Sequence, residues 1–451
     1  MESSIPYVSR QPVYDRVGSC AGYELSFRGP GTIIADTLAD LGGADPVGYR
    51  LWLVTAVHEV GTAGSGRDGL PREPGPEIDS LAPGDTYPRV VRMSVDASTD
   101  AVAAVAGRGL AVAVSATAAD PLLALASYAT VELHTTAPDR VRAAVDTCRA
   151  HRHLRIVALG LSTRAHLAQA RRLGCDLLQG PALWQPRPMS PARFRHIDLM
   201  AAALTGDPVD LGRIIARDPA LSFRLLRAAT AATVASAAAA ATAASAPSAA
   251  SGAAVASASS AAAGSSAWSA LSGPAVPAAA AMAAVGAGVA RPPSSIAELL
   301  GSLGPERARQ WLAMMLINDA TDADAAQLEA VVAAARFTQR VAEHLGMAGE
   351  PAFTAGMVRA LAELIGTPVA DLSDGLALSA EVRAAVRSGG GRLGTVLDLV
   401  DAYGAADLPA LRAGPVPPRD LVRLYLRAAA WAARTVTAVS VASGRASRAT
   451  A

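Results

Sequence analysis

The chain has 451 residues, 51% of them apolar and only 4% aromatic, which is enough apolar mass for two or three domains with real cores. A net charge of +1 with no basic face argues against a nucleic-acid partner, and no stretch has the length and Leu/Ile/Phe content of a membrane span. Three cysteines, Cys20, Cys148 and Cys175, are too few and too scattered for a disulfide framework or a metal site. They read as small buried hydrophobes in a reducing cytoplasm, and no cofactor is expected.

In chain order, Val13–Arg28 predicts a strand, a turn at Gly18 and a second strand ending on a charge. Ile33–Val60 is expected to be mostly helical, with Leu51, Val54, Val57 and His58 in a periodic row, and Gly61–Pro88 reads as a loop. Short apolar runs follow at Val90–Val95, Leu110–Ser115, Thr130–Leu133 and Arg155–Leu161. Helical stretches alternate with them at Ala101–Gly107, Asp120–Ser127, Asp139–Arg149 and Arg164–Leu173. Strand and helix in turn predict a parallel sheet, and at this size a reduced or irregular (β/α) barrel.

After a Pro- and Arg-rich connector, Arg187–Arg195, the chain turns helical. Asp207–Arg227 predicts two short helices, each opened by an Asp-Pro step suited to an N-cap followed by proline at the first helical position. Residues from Ala228 to about Ala290 are almost wholly Ala, Ser, Gly and Thr, and read as a flexible insertion at about 229–290. Ser295-Ile-Ala-Glu298 is a capping box, Gly304 ends its helix, and Pro305 opens another carrying Trp311, Met314 and Met315. That apolar cluster is a candidate partner surface, although core is its commoner role. Further helices are expected over Phe353–Gly366, Leu376–Val386, Gly394–Tyr403 and Arg419–Val439, with a polar tail after them. The expected division is an α/β domain over 1–186, an all-α domain over 187–440 and a flexible tail over 441–451.

Two phrases bracket the first domain. The run Asp15-Arg16 followed by Gly22-Tyr-Glu-Leu25, Phe27 and Arg28 resembles the opening of EAL domains, and Leu173-Gly174 with Gln179-Gly180 is similar to their close. The order of Asp218-Pro-Ala-Leu-Ser, the Leu225-Leu-Arg227 step, Ser295–Leu300 and Leu303–Trp311 resembles the HDOD helical regulatory module. The EAL resemblance implies a (β/α) barrel, a metal-binding role for Glu24, a substrate-phosphate contact for Arg28 and a pocket position for Gln179. A local acid–base pair at a strand end is the other reading of Glu24 and Arg28.

EAL phosphodiesterases hydrolyse cyclic di-GMP with cations held by clustered carboxylates and an asparagine, assisted by a lysine. This chain contains no lysine, and its first asparagine is Asn318. Where the resemblance expects paired aspartates stand Ser115 and Ala116; its lysine strand falls on Glu132-Leu133-His134 and its last acidic strand on Ala158–Ser162. Only Glu24, Asp96, Glu132 and His134 remain as candidate ligands, too few to hold two cations. The His-Asp pair of related metal hydrolases is also missing near Gly356. His151, His153, His196 and His344 are expected to be solvated. The resemblance therefore implies a degenerate EAL barrel joined to an HDOD module, acting non-catalytically through a protein partner. A cyclic di-GMP receptor is the alternative, and a working phosphodiesterase the third. A homodimer through residues before Gln179 is expected from the exposed edges of a shortened barrel.

Overall fold

A computed structural model of the chain describes residues 5–29, 35–36, 50–57, 70–74, 81, 89–184, 323–374, 376 and 378–442. The helix pair over 207–227, the segment at about 229–290, and Trp311, Met314 and Met315 lie outside the described residues. Residues 1–189 and 321–432 belong to one compact unit; the other, 190–320 with 433–451, includes only 433–442 of the described residues.

Eight strands close a barrel: β1 (Tyr7–Asp15), β2 (Cys20–Arg28), β3 (Leu51–Val57), β4 (Arg89–Arg92), β5 (Ala111–Ser115), β6 (Tyr128–Glu132), β7 (Arg155–Leu159) and β8 (Leu177–Leu178). From β2 to β8 neighbouring strands are parallel. β1 alone runs the other way, antiparallel to β2 through Gln11↔Glu24 and to β8 through Tyr14↔Leu178 and Asp15↔Leu177. α1 (Thr99–Gly107), α2 (Asp120–Leu125), α3 (Pro138–Ala150) and α4 (Arg164–Arg172) connect the later strands. Each begins where the sequence supplies a start signal: Ser98 and Thr163 cap α1 and α4, and proline stands in the first turn of α2 and α3.

One expectation fails. The segment Leu51–Val57 is a strand, not part of a helix. Its run of Leu, Trp, Val and Thr is buried along almost its full length, so no alternation marks it, and apolar periodicity alone does not separate such a run from a helix. Of the two barrel forms expected, the structure has the irregular one: it closes, with β1 antiparallel to both its neighbours. A closed barrel has no free strand edge, which removes the premise on which barrel pairing was expected.

The helical residues after the barrel form α5 (Ala325–His344), α6 (Gly349–Ile365), α7 (Val369–Asp374), α8 (Ala380–Ser388), α9 (Gly391–Gly404), α10 (Leu408–Ala413) and α11 (Pro418–Ala442). α5 was not anticipated, although Asp324 and Gln327 form a full capping box at its start. Among the described residues no helix is long and apolar enough to cross a membrane.

Candidate functional site

The barrel interior is stratified. Its floor is apolar: Val13, Leu51, Leu53, Val90, Tyr128 and Leu177 pack into one buried cluster with residues of β5 and β7. One pleat further toward the C-terminal end the inward positions turn polar, Leu53 giving way to Thr55, Val90 to Arg92, Ala113 to Ser115, Tyr128 to Thr130 and Leu177 to Gln179. That end, where barrels of parallel strands present their loops, holds a cavity of about 580 Å³.

Glu24 lines it and is buried. The Thr55 hydroxyl donates to Glu24 Oε1 at 2.6 Å, and the Gln179 side-chain amide donates both to Glu24 Oε2 and to Gln11 Oε1. Arg92 reaches across the mouth, with Nη1 3.4 Å from Glu24 Oε1 and Nη2 3.4 Å from Glu132 Oε1. Glu132 is less confined, 43% exposed, and accepts a second hydrogen bond from the Thr135 hydroxyl at 3.2 Å. Ser26, Ser115, Thr117, Thr130 and Thr136 line the rest with hydroxyls. His134 closes one side against the backbone of Gly160, whose φ of +67° and lack of a Cβ leave room for the ring; a Cβ there would stand 2.0 Å from His134 Nδ1.

Of the sequence candidates, Glu24, Gln179, Glu132 and His134 all line this cavity. Arg28 is exposed at the end of β2 and is not among the lining residues, and neither is Asp96, whose backbone amide donates to Ser94 Oγ. Arg92 and Thr55 were missed. The polar switch at the inward ends of β3 and β4 was their signal, but it is readable only once strand register is known. His151, expected to be solvated, is half-buried, with Nε2 2.8 Å from Asp120 Oδ1, whereas His153 and His344 are exposed.

The cations that the EAL resemblance implies do not fit this lining. The position between the two mouth carboxylates is taken by a guanidinium, which carries the compensating positive charge itself. Glu24 already accepts from Thr55, Gln179 and Arg92, and Ser115 and Leu159 supply no carboxylate. Among the described residues no three His, Cys, Asp or Glu side chains are grouped so as to hold a metal ion.

No protein-family profile matches the sequence, and no curated protein matches it. Solved structures do show likeness. The PaMucR phosphodiesterase in complex with c-di-GMP is 18% identical, the match covering 40% of this chain and 91% of that one, with a TM-score of 0.28. A standalone EAL protein from Vibrio cholerae O395, in its c-di-GMP-bound form, is 13% identical over 39% of this chain and 89% of that one, with a TM-score of 0.27. The EAL domain of Mycobacterium smegmatis DcpA is 16% identical over 39% and 89%, also with a TM-score of 0.27. Similarity this low sets no correspondence between individual residues.

Proposed function

We propose that the chain is a non-catalytic signalling protein related to cyclic di-GMP signalling proteins, in which a degenerate EAL-like barrel and an HDOD-like helical part act by contact with another protein. The observation that carries this reading is the Arg92 guanidinium lying between Glu24 and Glu132. Metal-assisted hydrolysis of a phosphodiester needs carboxylates free to hold cations, which lower the pKa of bound water and offset charge on the transferring phosphate. Here one carboxylate is saturated by a hydroxyl, an amide and an arginine, and the other is drawn to the same arginine.

The test is incubation of purified protein with cyclic di-GMP and Mg²⁺ or Mn²⁺, followed by chromatography of the nucleotides. No product above the buffer control is expected. Turnover that Glu24→Ala abolishes would overturn the reading. Binding without turnover, weakened by Arg92→Ala, would favour a nucleotide receptor instead.

A further inference from the structure

Outside the mouth, the described residues hold a cluster of buried charge on the outer face of β1 and β2. Glu329, from α5, is fully buried there. Its Oε2 accepts from Arg10 Nη2 and from the Tyr23 hydroxyl, each at 2.6 Å, and its Oε1 accepts from Arg50 Nη1 at 2.6 Å. Arg10 is 4% exposed and stacks over the Tyr23 ring, its guanidinium carbon 3.4 Å from the ring centroid. Burial alone would push the Glu329 carboxyl up; Arg50, Arg10 and the Tyr23 hydroxyl outweigh it and hold it below the usual carboxylate range. A second tie joins the same strand to α9, where the Tyr403 hydroxyl donates to the Val8 carbonyl at 2.9 Å.

The placement of this cluster relates it to the mouth. Arg10 precedes Gln11 on β1, and Tyr23 precedes Glu24 on β2. Successive residues of a strand face opposite sides, so the two residues gripped from outside are the direct neighbours of the two that line the cavity. Gln11 and Glu24 are moreover cross-strand partners, and Gln179 donates to both. Arg50 stands immediately before β3, the strand that carries Thr55.

We propose that Glu329 is a positioning residue for the barrel mouth: α5 grips β1 and β2 from outside, and that grip fixes where Gln11 and Glu24 stand within. A change in the helical part that withdraws Glu329 is thereby felt at the mouth, whether or not the mouth turns over a ligand. Withdrawal leaves the buried Arg10 guanidinium and the half-buried one of Arg50 without their counter-charge, and the two strands relax around them.

Two measurements on the full chain test this. In hydrogen exchange followed by mass spectrometry, Glu329→Gln should speed exchange of β1 and β2 amides by about tenfold while leaving β5 to β7 near wild-type rates. In a double-mutant cycle of unfolding equilibria, Glu329→Gln and Glu24→Gln should combine to a change that departs from the product of the single changes by more than about threefold, beyond what separate sites show. Should Glu329→Gln fail to fold, the milder Arg50→Lys replaces it in both measurements. Exchange that rises evenly around the barrel, or single changes that simply multiply, would show that Glu329 only adds stability and would overturn the proposal.

Discussion

Glu24 shows how one side chain is read correctly in place and incompletely in partnership. The strand-end phrase around it and the Gln179-Gly180 pair mark two positions that meet at 2.5 Å in the fold. The partner that sets the local chemistry, Arg92, ends the short strand RVVR, in which an arginine beside two valines does not reveal the side it faces. Gly180 is a sharper case, since its φ of +151° and the backbone of Leu161 leave no space for a side chain; a Cβ would lie 2.3 Å from Leu161 N. Gly180→Ala is expected to cost about 1–3 kcal/mol in chemical denaturation, and an unchanged midpoint would contradict the geometry. At the thiols, burial pushes Cys148 and Cys175 up to about 11. Both should therefore resist a disulfide reagent at pH 8 in the folded protein and react once denaturant opens it, a difference read directly by absorbance.

Among the elements, the alternation after Arg89 was legible because each of α1 to α4 starts on a capping side chain or a first-turn proline, so helix and strand differ in punctuation. β8 was not, because two residues, Leu177 and Leu178, give no period at all. α5 carries an acid amid its buried residues, and no local rule says what a buried carboxylate will meet. Its removal is the severest single change expected: Glu329→Leu leaves Arg10 and Arg50 uncompensated and should lower stability by about 3–5 kcal/mol at pH 7. The sign with pH follows from its lowered pKa. The Glu329 contribution is complete above the unfolded carboxylate value, about pH 4.3, and is lost as pH falls from there through the folded value. Denaturation curves from pH 7 to pH 3 should therefore converge for wild type and Glu329→Leu; a gap that stays constant would mean the carboxylate is not what is lost.

For the molecule as a whole, the order of segments conveyed an α/β part followed by an all-α part, and the structure has that order. Closure was illegible because it depends on β1 turning against its neighbours and pairing with β8 far along the chain. The grip of α5 on the barrel was illegible for the same reason, since it rests on one glutamate 319 residues beyond Arg10. Chains split between residues 186 and 187 and produced together should co-elute on gel filtration, because the outer face of β1 and β2 is completed by α5 and α9. Separate elution would show that these contacts do not suffice to hold the pieces together.

The long reach between Arg10 and Glu329 has a temporal side. A ribosome adding about 5–20 residues per second needs tens of seconds to travel from one to the other. During that interval every barrel strand has emerged while the cationic pair beside Tyr23 has no acid to meet, so the first strands to be made are the last to be finished. The order of synthesis thus leaves a window, set by translation speed alone, in which a chaperone or a wrong partner competes with α5 for the same face.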